Sequence, residues 1–462
     1  MSSTNIQPEI YKRKLQSQER RYYRAPNATN FLVIKIRGNV SENLLKNAIL
    51  KAQKRHIFLR VRVFLDDNFD AWLTTEKVKD IPIEVVKRSG DDQWIQICLS
   101  EVRIPLDYCN HPAIKFILVY SQNVSELILK SNHMFADGLG MAYLARDILE
   151  FLGDPSKKVD VLSPPPLVTR DSFPSSISDN FLVVKLIRWF NKRWDKQKVF
   201  FDDEDYKNLY RAYWKVYNNR SFSIELSEKE TSKLINRCRQ EGVTVNTALI
   251  AAFIRSQSIA KGFIKKQRGG FAVNLRDKLI SPVGEFYGFY ASGIFSIFKD
   301  KPNKSFWIMA KDIHKHIKKK MDDKVYFKNL LRFRYLRPTL YDALTMKMYG
   351  ALVPEGYSRY EKLNSYGKKK DAISFIVNRI MLKDFGFGIT NLGQLSFPCK
   401  YGDLEIERFF LSPHTAPNTE VVIGAVTVGG KLSLVVSYIE NIIDNEIMVK
   451  IKENIFDILK IK

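Results

Sequence analysis

The sequence Leu127-Ile-Leu-Lys-Ser-Asn-His-Met-Phe-Ala-Asp-Gly-Leu-Gly-Met-Ala-Tyr-Leu-Ala145 decides the fold, because it contains a strand, a tight turn and the start of a helix. Leu127–Leu129 form an apolar run of strand length, and apolar residues recur at helical spacing from Met141 onward. The polar residues therefore fall at the junction, where a rigid support exposes functional side chains. Asp137 stands near the helix start, where free backbone N–H groups favour a carboxylate, and Gly138 allows a tight turn.

Four segments carry a resemblance to one known group of enzymes. His133, Asp137 and Gly138 have the spacing His-x-x-x-Asp-Gly, and three further segments accompany them: Arg55–Arg60 (RHIFLR), Val273–Leu279 (VNLRDKL) and Ile389–Gly393 (ITNLG). In order and separation they resemble the motifs of the CoA-dependent acyltransferase superfamily. This superfamily includes chloramphenicol acetyltransferase, peptide-synthetase condensation domains, wax ester synthases and alcohol acetyltransferases. The resemblance covers nearly the whole chain.

One position departs from the condensation-domain pattern. Those domains usually carry a second His immediately before the catalytic one, and this chain has Asn132 there. The difference favours the alcohol acyltransferase branch over peptide-bond synthesis.

The resemblance implies an α/β fold with mixed sheets, in which two chloramphenicol-acetyltransferase-like lobes form a V-shaped pseudo-dimer around a central tunnel. We predict an N-terminal lobe over residues 1–162, a linker with a basic aromatic helix over 163–205, and a C-terminal lobe over 206–462. The boundary rests on a Pro- and Ser-rich stretch that begins at Ser163, since such a composition does not form a helix interior.

The resemblance also assigns roles to the site residues. An acyl thioester is already activated, so transfer needs a base near neutral pKa, and His133 fills that role. Asp137 is expected to be structural and to pair with Arg276 of the other lobe. For the oxyanion of the tetrahedral intermediate, we expect a donor in the Asp137-Gly138 turn or the Asn391 side chain. No Ser or Cys nucleophile is required.

The predicted function is transfer of an acyl group from a CoA or carrier-protein thioester to an alcohol or amine. No permanently bound cofactor is expected, since acyl-CoA or another phosphopantetheine thioester acts as a co-substrate. The alternative is a catalytically inactive, condensation-like binding or assembly protein that keeps the fold. Retention of both His133 and Asp137 argues against that alternative.

The chain carries 74 Lys and Arg against 50 Asp and Glu, a formal net charge of +24, which favours anionic partners. Nucleic acid is not expected, because no finger, homeodomain or RNP motif occurs and the lysines are spread along the sequence. CoA phosphates, an acidic acyl carrier protein or anionic lipid headgroups fit the charge. The basic aromatic segment 181–201 is suited to peripheral membrane contact. Alternatively, it packs across the two lobes with its cationic face in water.

The sequence lacks the patterns of a membrane span, a leader segment and a metal site. It has no run of eighteen apolar residues and no basic-then-apolar amino terminus, so we predict a cytoplasmic protein that associates at most peripherally with membranes. Its 4 cysteines are far apart, and His314 and His316 lie two residues apart with no third ligand nearby, so neither a disulfide framework nor a metal site is predicted.

Several further elements follow from periodicity and composition. The region 325–370 is predicted to be less regular and to cover the site. The predicted strands include a hairpin (Ile114–Tyr120 and Glu126–Lys130), a meander (Leu59–Leu65, Ala71–Thr75 and Ile81–Val86) and Ile373–Arg379.

Overall fold

Two six-stranded mixed sheets and one three-stranded sheet carry the fold, with helices packed against them. The structure is a computed structural model that describes residues 10–196, 199–378, 385–413 and 415–459. Its mixed sheets and surrounding helices confirm the predicted α/β class. The V shape and the central tunnel stay predictions.

The first part of the chain forms β1 (Lys12–Lys14), α1 (Ser17–Tyr23), β2 (Thr29–Arg37), α2 (Glu42–Arg55), β3 (Arg62–Leu65), β4 (Ala71–Thr74), β5 (Ile83–Lys87), α3 (Gln93–Glu101), β6 (Ile114–Tyr120), β7 (Val124–Asn132), α4 (Gly138–Gly153), α5 (Phe181–Lys196) and α6 (Asp203–Val216). Helix α2 begins after a capping serine, since the Ser41 side chain accepts from the backbone N–H of Leu44.

The second part forms β8 (Asn219–Glu225), α7 (Glu228–Gln240), α8 (Val245–Ala260), β9 (Lys266–Asn274), β10 (Ala291–Lys299), α9 (Phe306–Asp322), α10 (Val325–Tyr335), α11 (Pro338–Tyr349), α12 (Tyr360–Lys368), α13 (Ala372–Ile376), β11 (Phe385–Leu395), β12 (Lys400–Tyr401), β13 (Leu404–Ser412), β14 (Thr419–Val428), β15 (Lys431–Ile439) and α14 (Asn445–Leu459).

The N-terminal sheet has the order β12, β13, β2, β7, β6, β5, and only the β5–β6 pair is parallel. The hairpin of β6 and β7 confirms the strand pairing expected before His133. Strands β12 and β13 come from the second part of the chain, and β13 pairs antiparallel with β2. A late segment therefore completes the early sheet. The domain boundaries themselves stay a prediction.

The C-terminal sheet has the order β10, β9, β11, β14, β15, β8, with β11 parallel to both β9 and β14. Two hydrophobic cores correspond to the two large sheets. The first also takes in residues of α6 and α11, such as Tyr210 and Leu344. The second gathers around α8, where Ile250 and Phe253 are buried.

The predicted meander is wrong in its pairing. Strands β3 and β4 form a small sheet with β1, whereas β5 lies beside β6 in the N-terminal sheet. The pairing of β5 with β6 is parallel, and parallel neighbours need a long crossover. Helix α3 lies in that crossover, which explains why the three short strands do not form one meander.

Two further element predictions are wrong. The region 325–370, expected to be less regular, contains helices α10, α11 and α12. Pro338 is the first residue of α11, a position where proline starts a helix instead of breaking it. The predicted strand Ile373–Arg379 begins as helix α13, because the Asp371 side chain accepts from the backbone N–H groups of Ile373 and Ser374. Position 379 lies outside the described residues.

Candidate active site

The turn between β7 and α4 places His133 one residue after the end of a central strand. Pairing of β7 with β2 and β6 holds this strand on both sides, so the turn starts from a rigid support. The backbone N–H of His133 donates to the Ala28 carbonyl at 2.8 Å, which fixes the first residue of the turn. Asn132 is buried and its side chain accepts from the Met134 N–H at 2.9 Å. The residue that departs from the condensation-domain pattern therefore stabilises the turn.

The imidazole of His133 has a defined tautomer. Its Nδ1 lies 2.9 Å from the Ala136 carbonyl oxygen, and a carbonyl can only accept, so Nδ1 carries the proton. In the neutral ring the lone pair then belongs to Nε2, the nitrogen that can take a proton. Burial disfavours the charged form and lowers the pKa of His133 below its ordinary 6.5. The residue is thus held in the basic form at neutral pH.

Two aromatic rings flank the imidazole. The Tyr22 ring of α1 has its centroid 4.5 Å from that of His133, and the Phe289 ring lies 5.1 Å away, nearly edge-on. The Tyr22 and Phe289 rings also contact each other at 5.4 Å. These side chains come from segments far apart in sequence and supply the apolar surroundings of the base. Sequence reasoning missed both of them.

Residues from the second part of the chain form hydrogen bonds with the Asp137 carboxylate. Arg276 Nη1 lies 2.9 and 3.1 Å from its two oxygens, and the backbone N–H of Tyr290 donates to Oδ2 at 2.7 Å. Oδ1 also accepts from the Gly140 N–H at 2.8 Å, so Asp137 caps α4. The carboxylate contacts no ring nitrogen of His133 in any of these interactions. Its position is that of a structural residue joining the two sheets.

A loop before β10 closes against the first turn of α4. The Gly288 carbonyl accepts from the Asp137 N–H at 3.3 Å and from Arg276 Nη2 at 3.1 Å. A Cβ at Gly140 would lie 2.6 Å from that carbonyl oxygen, so only glycine permits the approach. Strand β10 itself starts at Ala291. The sequence signal for this contact is the second glycine of the Asp137-Gly138-Leu-Gly140 run.

The other predicted site residues lie nearby in different roles. A Cβ at Gly138 would lie 2.8 Å from Leu392 Cδ2, so Gly138 lets strand β11 approach the start of α4. Asn391 on β11 accepts from the Gly393 N–H at 2.8 Å through its side-chain oxygen. The Asp137 N–H donates to the Gly288 carbonyl, and the donor for the oxyanion stays a prediction.

His56 lies in a buried cluster of charged side chains between α2 and α4. Its Nε2 lies 2.8 Å from Asp147 Oδ2, and both side chains are buried. Arg55 donates to the same oxygen at 2.7 Å, and Arg146 donates to the other at 2.8 Å. Burial raises the pKa of Asp147, but hydrogen bonds from His56 and Arg146 outweigh it and lower that pKa to about 2. The cluster joins α2 to α4 and lies outside the His133 turn.

Neither a metal-binding cluster nor a membrane-spanning helix is found in the part of the chain that the structure describes. Across residues 10–196, 199–378, 385–413 and 415–459, no group of three or more His, Cys, Asp or Glu side chains is placed to hold a metal ion. Over the same ranges, no helix combines the length and apolar character needed to span a bilayer.

Comparisons with solved structures identify proteins of similar fold. No protein-family model matches the chain, and no curated protein matches it. Among solved structures, a trichothecene 15-O-acetyltransferase from Fusarium sporotrichioides has a TM-score of 0.67 at 13% identity, covering 100% of this chain and 96% of that one. Polyketide synthase associated protein 5 from Mycobacterium tuberculosis has a TM-score of 0.60 at 14% identity, covering 97% of each chain.

A third similar structure is the first condensation domain of the CDA synthetase, with a TM-score of 0.58 at 12% identity, covering 98% of this chain and 96% of that one. The chain has the acyltransferase and condensation-domain fold. The resemblance carried by the His133 and Arg276 segments is therefore confirmed at the level of the fold. Identities this low show the fold alone, so the chemistry has to be argued from the site.

Proposed function

We propose that the protein is an acyltransferase that moves an acyl group from a thioester to an alcohol or amine, with His133 as general base. The observation that carries this proposal is the His133 ring, whose Nδ1–H donates to Ala136 and whose Nε2 is left as the basic nitrogen. Asp137 supports the site from a distance, since its carboxylate is bound by Arg276 and Tyr290. The fold shared with an acetyltransferase and with condensation domains supports the same reaction class.

The proposed reaction needs one base and no covalent enzyme intermediate. His133 Nε2 accepts the proton of the acceptor's hydroxyl or amine as its oxygen or nitrogen attacks the thioester carbonyl. The tetrahedral intermediate collapses by breaking the C–S bond, and the leaving thiolate takes the proton from the imidazolium. The products are an ester or amide and a free thiol. Each proton and leaving group is thereby accounted for without a metal or redox cofactor.

The donor is proposed to be acyl-CoA or another phosphopantetheine thioester. A net charge of +24 attracts the phosphates of CoA and equally attracts an acidic carrier protein. Ionic strength separates the two donors, because a carrier docks through many exposed ion pairs whereas CoA enters a pocket. The apparent KM for a carrier-bound donor is therefore expected to rise more steeply with salt than that for acyl-CoA.

Release of free thiol tests the main proposal. The 462-residue chain is incubated with a panel of acyl-CoA donors and simple alcohols or amines, and product is confirmed by mass spectrometry. Acceptor-dependent thiol release that disappears in His133→Ala supports the proposal. The proposal is refuted if no donor of the panel gives thiol release, or if the release is unaffected by His133→Ala. A protein that binds the thioester without turnover would instead be the inactive binding or assembly protein.

We also propose that α5 contacts anionic membranes. Four large apolar side chains of this helix are exposed: Phe181 (71%), Leu182 (69%), Leu186 (50%) and Trp189 (45%). Trp194, on the opposite face, is buried and donates to Thr339 Oγ1 at 3.0 Å, so the helix is anchored to the protein. An anchored helix with an outward apolar stripe and flanking cations is suited to a lipid interface.

Sedimentation with vesicles tests this contact. Each cation near a charged surface contributes about 1 kcal/mol, so binding to phosphatidylserine vesicles is expected to exceed binding to neutral ones. Leu186→Ser should weaken it, whereas Leu50→Ser, which removes a similarly exposed leucine on α2 (55%), should not. Equal sedimentation with neutral and anionic vesicles, or equal effects of the two variants, would exclude the proposal.

A further inference from the structure

Helix α1 and the residue after it contain three arginines with different surroundings. Arg20 donates to Asp342 from Nε and Nη2 at 2.9 and 2.5 Å, and Arg24 donates to Asp203 at 2.8 Å. Arg20 and Arg24 lie one helical turn apart, and both donate to the Asp342 carboxylate. Within the described ranges, Arg21 forms no ion pair with an acidic side chain. It is therefore a half-buried cation without a carboxylate from this part of the protein.

Two aromatic rings hold the Arg21 guanidinium instead. Its Cζ lies 4.6 Å from the centroid of Phe333 on α10 and 5.4 Å from that of Tyr22. Aromatic faces attract a cation and limit its movement. A guanidinium that stacks on an aromatic ring keeps its N–H groups in its own plane. Two of these groups can then bind a carboxylate through parallel hydrogen bonds. The two rings therefore fix the position of the guanidinium, and no carboxylate among the described residues pairs with it.

Arg21 is also close to the proposed base. The Tyr22 ring that it contacts is the ring that lies 4.5 Å from the imidazole of His133, so one aromatic side chain separates the cation from the base. The positive charge of Arg21 contributes to lowering the pKa of His133, as expected at short range. An anion bound by Arg21 would therefore lie near the reacting atoms. The phosphates of a CoA donor would not, because the whole pantetheine arm separates them from the thioester.

We infer that Arg21 binds a carboxylate of the substrate close to the transferred acyl group. The inference rests on the proposed function and narrows its substrate class. Two sources supply the same chemistry: an acceptor that is a hydroxy or amino acid, or a donor whose acyl group is a dicarboxylic half-thioester. In either case the carboxylate orients the substrate against His133, and Arg21 determines specificity without taking part in proton transfer.

The test compares charged and neutral forms of each substrate. With acetyl-CoA as donor, lactate is compared with methyl lactate as acceptor; with butanol as acceptor, succinyl-CoA is compared with acetyl-CoA as donor. The measured quantity is the preference, the ratio of kcat/KM for the charged form over the neutral form. Three variants are used: Arg21→Gln removes the cation, Arg21→Lys keeps the charge but not the planar fork, and Arg239→Gln removes an exposed arginine on α7.

One of the two preferences is expected to exceed one in the wild type and to fall about 10- to 100-fold in Arg21→Gln, mainly through KM, because a charge-assisted hydrogen bond is lost. The preference should fall less in Arg21→Lys, and in Arg239→Gln it should equal that of the wild type. The pair of substrates that responds identifies which partner carries the carboxylate. Wild-type transfer with no preference, or equal effects of Arg21→Gln and Arg239→Gln, overturns the inference while leaving the proposed function intact. No transfer with any pair overturns both.

Discussion

Removal of Arg276 is expected to destabilise the protein because it leaves the Asp137 carboxylate buried without its cation. Both residues are 4% exposed, so solvent screens the pair very little. Breaking a buried ion pair from one side costs about 3–5 kcal/mol. The Tyr290 and Gly140 N–H groups still donate to the carboxylate in Arg276→Ala, which favours the lower end of that range. We expect a loss of about 3 kcal/mol in the free energy of unfolding.

Asp137→Asn should also destabilise, and the two changes should not add. In the double variant neither charge is left unpaired, so its loss should be smaller than the sum by about 0.5–3 kcal/mol. Urea unfolding of all four proteins measures this coupling. The midpoint of the first transition is compared, since a chain with two hydrophobic cores can unfold in more than one step.

A matched pair at the surface serves as the control. Arg220 lies 3.0 and 3.3 Å from the oxygens of Glu440, and both side chains are substantially exposed. Exposed pairs of this kind contribute little, so Arg220→Ala should leave the midpoint nearly unchanged. If Arg276→Ala were no worse than Arg220→Ala, or if the losses at positions 137 and 276 were fully additive, the structural role of the pair would be refuted.

Three further predictions concern the turn. His133→Ala should lower kcat by about 10²–10⁴-fold while the melting temperature stays near that of the wild type; activity within a few-fold of the wild type would exclude a general base here. Because burial lowers the pKa of His133, the acidic limb of kcat/KM against pH should lie below 6.5, and a limb above 6.5 would contradict this. Gly140→Ala should cost about 1–3 kcal/mol through its clash with Gly288, whereas Gly90→Ala, which meets nothing within 4 Å, should be tolerated.

The sequence predicts the centre of the molecule better than its periphery. The strand, turn and helix around His133 were predictable because apolar periodicity changes there from strand to helix spacing, and a capping residue marks the change. Helix α1 gave no comparable signal, since it is short and three of its four buried residues, Gln18, Glu19 and Arg20, are polar or charged. The ion pairs that make such a face stable are formed with residues far away in sequence, such as Asp342.

Contacts between distant segments limit the prediction of the site in the same way. The motif resemblance brought Asp137 and Arg276 together, and the structure places them in contact. It gave no information on Tyr22 or Phe289, because an aromatic residue in a polar or irregular segment has no periodicity that indicates which neighbour it meets. The placement of β12 and β13 beside β2 was missed for a related reason, since edge pairing between remote strands leaves no local signal.

The hydrogen bonding of His133 distinguishes this site from a catalytic triad. In a triad, a carboxylate orients the imidazole and stabilises its charged form. Here Nδ1–H donates to the Ala136 carbonyl, and the carboxylate of the turn, Asp137, is directed to Arg276 instead. A carbonyl fixes the tautomer but compensates a positive charge less than a carboxylate does, so burial keeps the ring neutral. A base of this kind activates a serine less strongly, which is consistent with the proposed reaction, where the acceptor itself attacks an activated thioester. The arrangement therefore favours direct transfer between two bound substrates over a covalent acyl-enzyme.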